Sequence, residues 1–242
     1  MKTSNKMLLG LVGAIIVLII FQLASCAVLP IKGNGNLVTS EKTFPSFEKI
    51  NCAGSIEIHF HVSKVYQTVV AIDENLEEYV EIFAENNVLN IKTKNGHSIS
   101  PTKFTVDVYC PVLTGVTMFG SGSFKSADKI IAPTFESNIA GSGKIEGTIE
   151  CDNYSATITG SGKITIYGNS NDMDISIAGS GNFYGNELNT KNATVSITGS
   201  GNANIRVSDN LKAKISGSGN INYSGAPKVD SSVSGSGRIR SI

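Results

Sequence analysis

Seven Gly-Ser-Gly triplets begin at Gly120, Gly141, Gly160, Gly179, Gly199, Gly217 and Gly235, at successive spacings of 21, 19, 19, 20, 18 and 18 residues. A unit this short cannot bury its own apolar face, and closes a core only by stacking on its neighbours. Registering the units on the first Gly separates inward from outward positions. Two residues before it stand Met118, Ile139, Ile158, Ile177, Ile197, Ile215 and Val233. Four after it stand Phe124, Ile145, Ile164, Phe183, Ala203, Ile221 and Ile239. Between these columns lie Ser, Thr, Asn, Lys, Asp and Glu. Alternation on both sides of a fixed corner means strand, bend, strand. The reading is therefore all-β: a right-handed parallel β-helix, or β-solenoid, of 18–21 residues per coil. At ~4.8 Å between strands, seven coils give a column roughly 30 Å long.

The triplet itself reads as scaffold. Both glycines continue the inward parity, where a Cβ would crowd the bend, and glycine also admits positive φ. The serines face out and stack along the corner. A phosphate cradle needs one glycine-rich turn feeding a helix N-terminus, whereas this triplet feeds strands. A calcium-binding repeat needs Asp at a fixed place after the glycines, whereas the following residues are Ser, Lys, Lys, Asn, Asn, Asn and Arg.

The first half carries other strand signals. "SIEIHFHV" (Ser55 to Val62) and "KFTVDVYCP" (Lys103 to Pro111) alternate, and "YVEIFAENNVLNIKTK" reads as two strands about Asn86-Asn87 after a helical turn in "DENLEE". A longer helix is the alternative, since Leu76, Tyr79, Val80 and Phe83 also fit helical spacing. Residues 36–113 are expected to form broader first coils and a strand-rich N-terminal cap, continuous with the repeat solenoid of residues 114–242.

At the N-terminus, Lys2 and Lys6 precede an apolar run from Met7 to Phe21 and then "LASC". That is the layout of a secretory signal, and "LASC" looks like a bacterial lipobox. The expectation is a signal over residues 1–25, lipidation at Cys26 and a short tether over 26–35; a single membrane-spanning anchor is the alternative. Processing removes two of 20 basic residues, leaving 18 against 20 acidic, a net of −2. That balance gives no support for nucleic-acid binding. Of the remaining cysteines, Cys52, Cys110 and Cys151 read as small buried hydrophobes. A Cys52–Cys110 disulfide is the bridge an exported chain would choose, although the odd count argues against a disulfide framework.

"GNGNLVTSEKTFPSFEKINCAGSIEIHF", then "DENLEEYVEIFAENNVLNIKTK", then triplet coils to Ile242 resembles the auto-transporter adhesin, head GIN domain family. The resemblance covers residues 31–242. It implies an envelope protein of a Gram-negative bacterium, commonly a lipoprotein with a β-solenoid body, here expected at the outer membrane. It brings no catalytic residues.

Chemistry-bearing residues are few. Glu57, His59 and His61 share one strand face, a partial metal site at best, and a solvated strand face also explains them. No cofactor is expected. Paired carboxylates for sugar cleavage would have to come from a sparse set: Glu136, Glu146, Glu150, Asp174 and Asp230. The outward face bearing Thr157, Thr159, Ser176, Thr194, Ser196 and Thr198 is the candidate binding face for a glycan or another envelope surface. An ordinary solvated sheet is its plain alternative. The sequence runs to "GSGRIRSI" after the last triplet, so end-to-end self-association through the C-terminal end of the solenoid is a further expectation. The functional readings are a lipid-anchored, non-catalytic binding or adhesion module; a structural envelope protein without a dedicated ligand; and, behind these, a polysaccharide-active enzyme.

Overall fold

A computed structural model describes residues 29–242. Cys26 and the leader segment lie outside the described residues. The chain is all-β and winds a β-solenoid of about seven turns from stacked parallel strands. One sheet precedes the triplet corner and the other follows it. Long strands such as Lys144–Gly160, Lys163–Gly179, Asn182–Gly199 and Asn202–Gly217 bend between corners, so each supplies the second sheet of one coil and the first sheet of the next.

The first glycine of every triplet pairs in register with its equivalent in the neighbouring coil, from Gly120↔Gly141 through Gly217↔Gly235. Backbone amides stitch the corner: Ser142 N donates to Gly120 O, Ser161 N to Gly141 O and Ser180 N to Gly160 O, each at 2.9 Å. The inward columns read from the sequence are buried as expected, with Ile139, Ile158, Ile177, Ile197 and Ile215 all nearly or fully inaccessible. They open only in the last coil, Lys228–Gly235 and Arg238–Ser241, where Val229 is 38% and Val233 43% exposed.

The N-terminal half departs from the expectation of broader coils alone. Lys49–Gly54 and Glu57–Val62 form a coil whose corner, Gly54-Ser55-Ile56, pairs with Gly120-Ser121-Gly122; it is an eighth corner with Ile in the second glycine's place. Beneath it, Val88–Thr93 and Phe104–Cys110 still run parallel to the stack. Then the direction reverses. Val80–Glu85 pairs antiparallel with Val88–Thr93 on one sheet; Gln67–Asp73 and then Leu37–Thr43 add antiparallel strands on the other. Asn86 and Asn87 cause the first reversal. Their φ values of 51° and 65° make the two-residue turn that folds a strand back on itself. Glu74–Tyr79 is a short 3₁₀ turn, not a long helix. Antiparallel strands carrying charges therefore close this end.

Cys52 and Cys110 are buried and unbridged. Cys52 sits two residues before the Gly54 corner, opposite Met118 and Ile91, while Cys110 ends a strand of the other sheet, opposite Val62. The coil keeps them on different walls, so that alternative bridge does not form and both read as buried hydrophobes, whereas Cys151 is only half-buried.

Candidate functional site

The six hydroxyl residues do share one sheet face. Thr157, Ser176 and Ser196 form one outward column, Thr159 and Thr198 belong to the next, and Thr194 stands opposite Asp174. Ala178 separates Thr159 from Thr198, and Ala140 lies on Thr159's other side, so these hydroxyls do not form a continuous row. Ser and Thr on this sheet present hydrogen-bonding groups without relief to enclose a ligand.

Concave surface lies to the sides of that face. One depression of about 440 Å³ runs across five coils at the strand entry, and of the six candidate residues only Thr194 reaches it. Its rim is a ladder of amides: Asn192 Nδ2 donates to Asp172 Oδ1 at 2.9 Å, and Asn210 Nδ2 to Asn192 Oδ1 at 2.8 Å. Asp174 and Glu136 also line it. Asp172 is thus a partner in a structural ladder, and none of the three histidines lines this groove to act with it. A second depression of about 410 Å³ lies on the opposite sheet around Tyr167 and Tyr184.

Beside that second groove runs another amide ladder. Asn202 Nδ2 donates to Asn182 Oδ1 and Asn220 Nδ2 to Asn202 Oδ1, both at 2.9 Å; Asn222 Nδ2 donates to Asn204 Oδ1 at 2.7 Å. The sequence reasoning missed these ladders. Their signal was present in the three consecutive units whose triplet is followed by Asn, since identical residues in a parallel in-register stack must meet.

His59 and His61 share one carboxylate from the neighbouring strand. Asp107 Oδ1 lies 3.3 Å from His59 Nδ1 and 3.3 Å from His61 Nε2, while Glu57 Oε1 is 3.2 Å from His59 Nε2. The His61 ring also stacks on Tyr109 at 4.9 Å. Among the described residues no group of three or more His, Cys, Asp or Glu side chains is placed to hold a metal ion. His97 packs against Tyr79 at 4.8 Å. Burial pushes the Cys52 and Cys110 thiols up to about 12 and Cys151 up to about 11, so none is poised as a nucleophile.

Residues 46–227 match the family described as "Putative auto-transporter adhesin, head GIN domain". The chain belongs to this family. Two crystal structures similar to this GIN-domain chain come from Parabacteroides. One, from P. distasonis, is described as a "putative lipid binding protein"; it is 29% identical, with a TM-score of 0.74 over 88% of this chain and 99% of that one. The other, a "putative adhesin" from P. merdae, is 28% identical, with a TM-score of 0.73 over 88% and 98%. A "putative adhesin" from Bacteroides fragilis has a TM-score of 0.84 at 19% identity, over 88% of this chain and 100% of that one, and speaks to the GIN-domain fold alone. No curated protein matches the sequence.

Proposed function

We propose that the protein is a non-catalytic binding or adhesion module of the bacterial envelope, exported and held to the outer membrane by lipid on Cys26. The observation that carries the reading is its stack of in-register coils, which repeats the same outward polar columns along one continuous surface. Such a surface suits many weak, additive contacts and supplies no activated nucleophile. Membership of a family described as adhesin-like supports the same conclusion. Among the described residues no helix is long and apolar enough to cross a membrane; in this reading the acyl chains on Cys26 hold the body to the bilayer.

Beads coated with the purified protein should adhere to isolated bacterial envelopes above bare beads, and adhesion equal to bare beads overturns the binding role in favour of a structural one. Cys26→Ser should abolish incorporation of labelled palmitate and release the protein from membranes. Retention of both overturns the anchor.

A further inference from the structure

The geometry points to a saccharide-binding groove on the sheet that follows the triplet corner, centred on Tyr167 and Tyr184; this deepens the binding reading above and rests on it. The outward positions beside these two rings are polar. Opposite Tyr184 stand Thr165 on one side and Asn204 on the other, and opposite Tyr167 stands Thr148. Among the coils that carry the triplet, only two adjacent ones replace these small polar groups with rings. Tyr184 is 36% exposed, so its ring is open to a ligand from solvent.

The repeat also breaks its register here. Pairing slips between Thr165 and Gly168 on one side of the strand Asn182–Gly199, and between Gly185 and Asn189 on the other. This is the coil with 20 residues between triplets, against 19 before it and 18 after. The surplus bulges outward at Asn186 and Glu187 and raises a wall beside the two rings. In solenoids, insertions confined to one face commonly mark the binding face. The hollow holds about 410 Å³ and is lined by Lys163, Thr165, Tyr167, Tyr184, Asn186 and Glu187. Its volume sits at the small end of ligand sites, large enough for one or two sugar rings.

The chemistry of the lining selects the ligand class. Lys163 Nζ lies 4.8 Å from the centre of the Tyr184 ring, a cation–π contact that favours this orientation of the ring. Among the described residues neither Lys163 nor Glu187 enters an ion pair. The groove thus sets apolar ring surface beside an ammonium, a carboxylate, an amide and a hydroxyl that a ligand can reach. A saccharide offers that combination: a C–H face to lie on tyrosine and a rim of hydroxyls that both donate and accept. A phosphate polymer does not, because Glu187 repels it and no basic stripe surrounds the groove.

The test is a glycan array of bacterial, plant and mammalian oligosaccharides probed with the mature full-length protein, followed by titration calorimetry on the strongest hits. Tyr184→Ala and Tyr167→Ala should each weaken binding roughly tenfold, the scale of one lost stacking contact. Tyr184→Phe should keep most of the affinity, and Thr159→Ala with Thr198→Ala should change it less than twofold. Unchanged melting curves show that the variants fold. If the two Tyr variants bind as wild type while the Thr variants lose binding, the groove is overturned and the binding reading stands. If coated beads adhere to envelopes but no saccharide binds, the ligand class is overturned alone. If neither beads nor array give a signal, both fall.

Discussion

In the Gly160-Ser161-Gly162 triplet the two glycines meet different obstacles. Gly160 has φ of 114°, a conformation L side chains rarely adopt, and a Cβ there would lie 2.6 Å from Gly141 O of the coil beside it. That oxygen is held by the Ser161 amide and cannot move away. A Cβ on Gly162 would meet Ile139 Cγ2 at 2.5 Å and Gly143 O at 3.1 Å, but its backbone is not in the positive-φ region, so the strain that burdens Gly160 is absent. Gly160→Ala should therefore cost about 3 kcal/mol, combining backbone strain with a fixed clash, and Gly162→Ala about 1–2 kcal/mol. Urea midpoints of the two variants check the order, and equal losses would remove the distinction. A second single residue ties down the N-terminal segment. Asp73 is buried and accepts hydrogen bonds from Gly35 N, Thr102 N and Thr102 Oγ1, each at 2.7 Å, while Gly33 leaves no room for a Cβ beside its carboxylate. Burial works to raise its pKa, but these bonds and one from the Lys103 amide outweigh it, so the folded value lies below the ordinary one. A depressed pKa contributes stability that is present above the unfolded value near ~3.9 and lost as pH falls through the folded one. Melting temperature should drop across that acid window in wild type and more shallowly in Asp73→Asn, which should also exchange its Gly35 amide faster at neutral pH. Parallel acid limbs for the two proteins would contradict the assignment.

At the scale of strands and coils, what the sequence reveals depends on whether alternation is locked to a marker. Ile158, Ile177 and Ile197 could be placed in one buried column because each stands two residues before a glycine that must occupy the corner. Gly54-Ser55-Ile56 escaped the same reading: Ile56 in place of the second glycine hides the marker, although the chain bends there all the same. The antiparallel cap was less legible still. Alternation gives the faces of a strand, whereas its direction follows from turns such as Asn86-Asn87 and from which edge remains open. The candidate face at Thr157 to Thr198 was legible by parity alone. The hollow at Tyr184 was not, because a 20-residue spacing reports an extra residue without saying where the register slips. Cysteine placement yields a prediction at this scale. Cys52 and Cys110 lie on opposite walls of their coils and their thiols are raised to about 12 by burial. Iodoacetamide at pH 8 should leave both unmodified in the native protein and alkylate both in urea, read by mass spectrometry. Labelling of either in the folded state would mean that these coils open readily, and a mass two units low in a non-reduced sample would mean a bridge.

The whole molecule has a direction relative to any membrane that holds Cys26. From Cys26 to Ile31 there are five residues, spanning at most ~18 Å when fully extended. At Ile31 the chain is already fastened to the N-terminal end. Ile31 and Lys32 pair with Ile99 and Ser100, Gly33 N donates to Ser100 O at 3.0 Å, and Asn34 N and Gly35 N bind Asn75 and Asp73. That short tether keeps the N-terminal end within ~18 Å of the lipid attachment. With lipid on Cys26, the antiparallel end must sit against the bilayer, and the coils carry the last triplet away from it by roughly 30 Å. The tyrosine groove, several coils up, is then lifted clear of the headgroups. Cys52 and Cys110 are buried, and with the half-buried Cys151 replaced by Ser single Cys substitutions can be labelled selectively. Asn95→Cys lies in the loop before Ile99, and Ser236→Cys lies in the final corner. In proteoliposomes of the lipidated protein with an acceptor dye on the headgroups, a donor at position 95 should transfer energy efficiently and a donor at 236 only weakly. Equal transfer would mean that the column lies flat along the surface, and the reverse order would place the groove's end of the molecule on the membrane; either result overturns the upright orientation while leaving the lipid anchor intact.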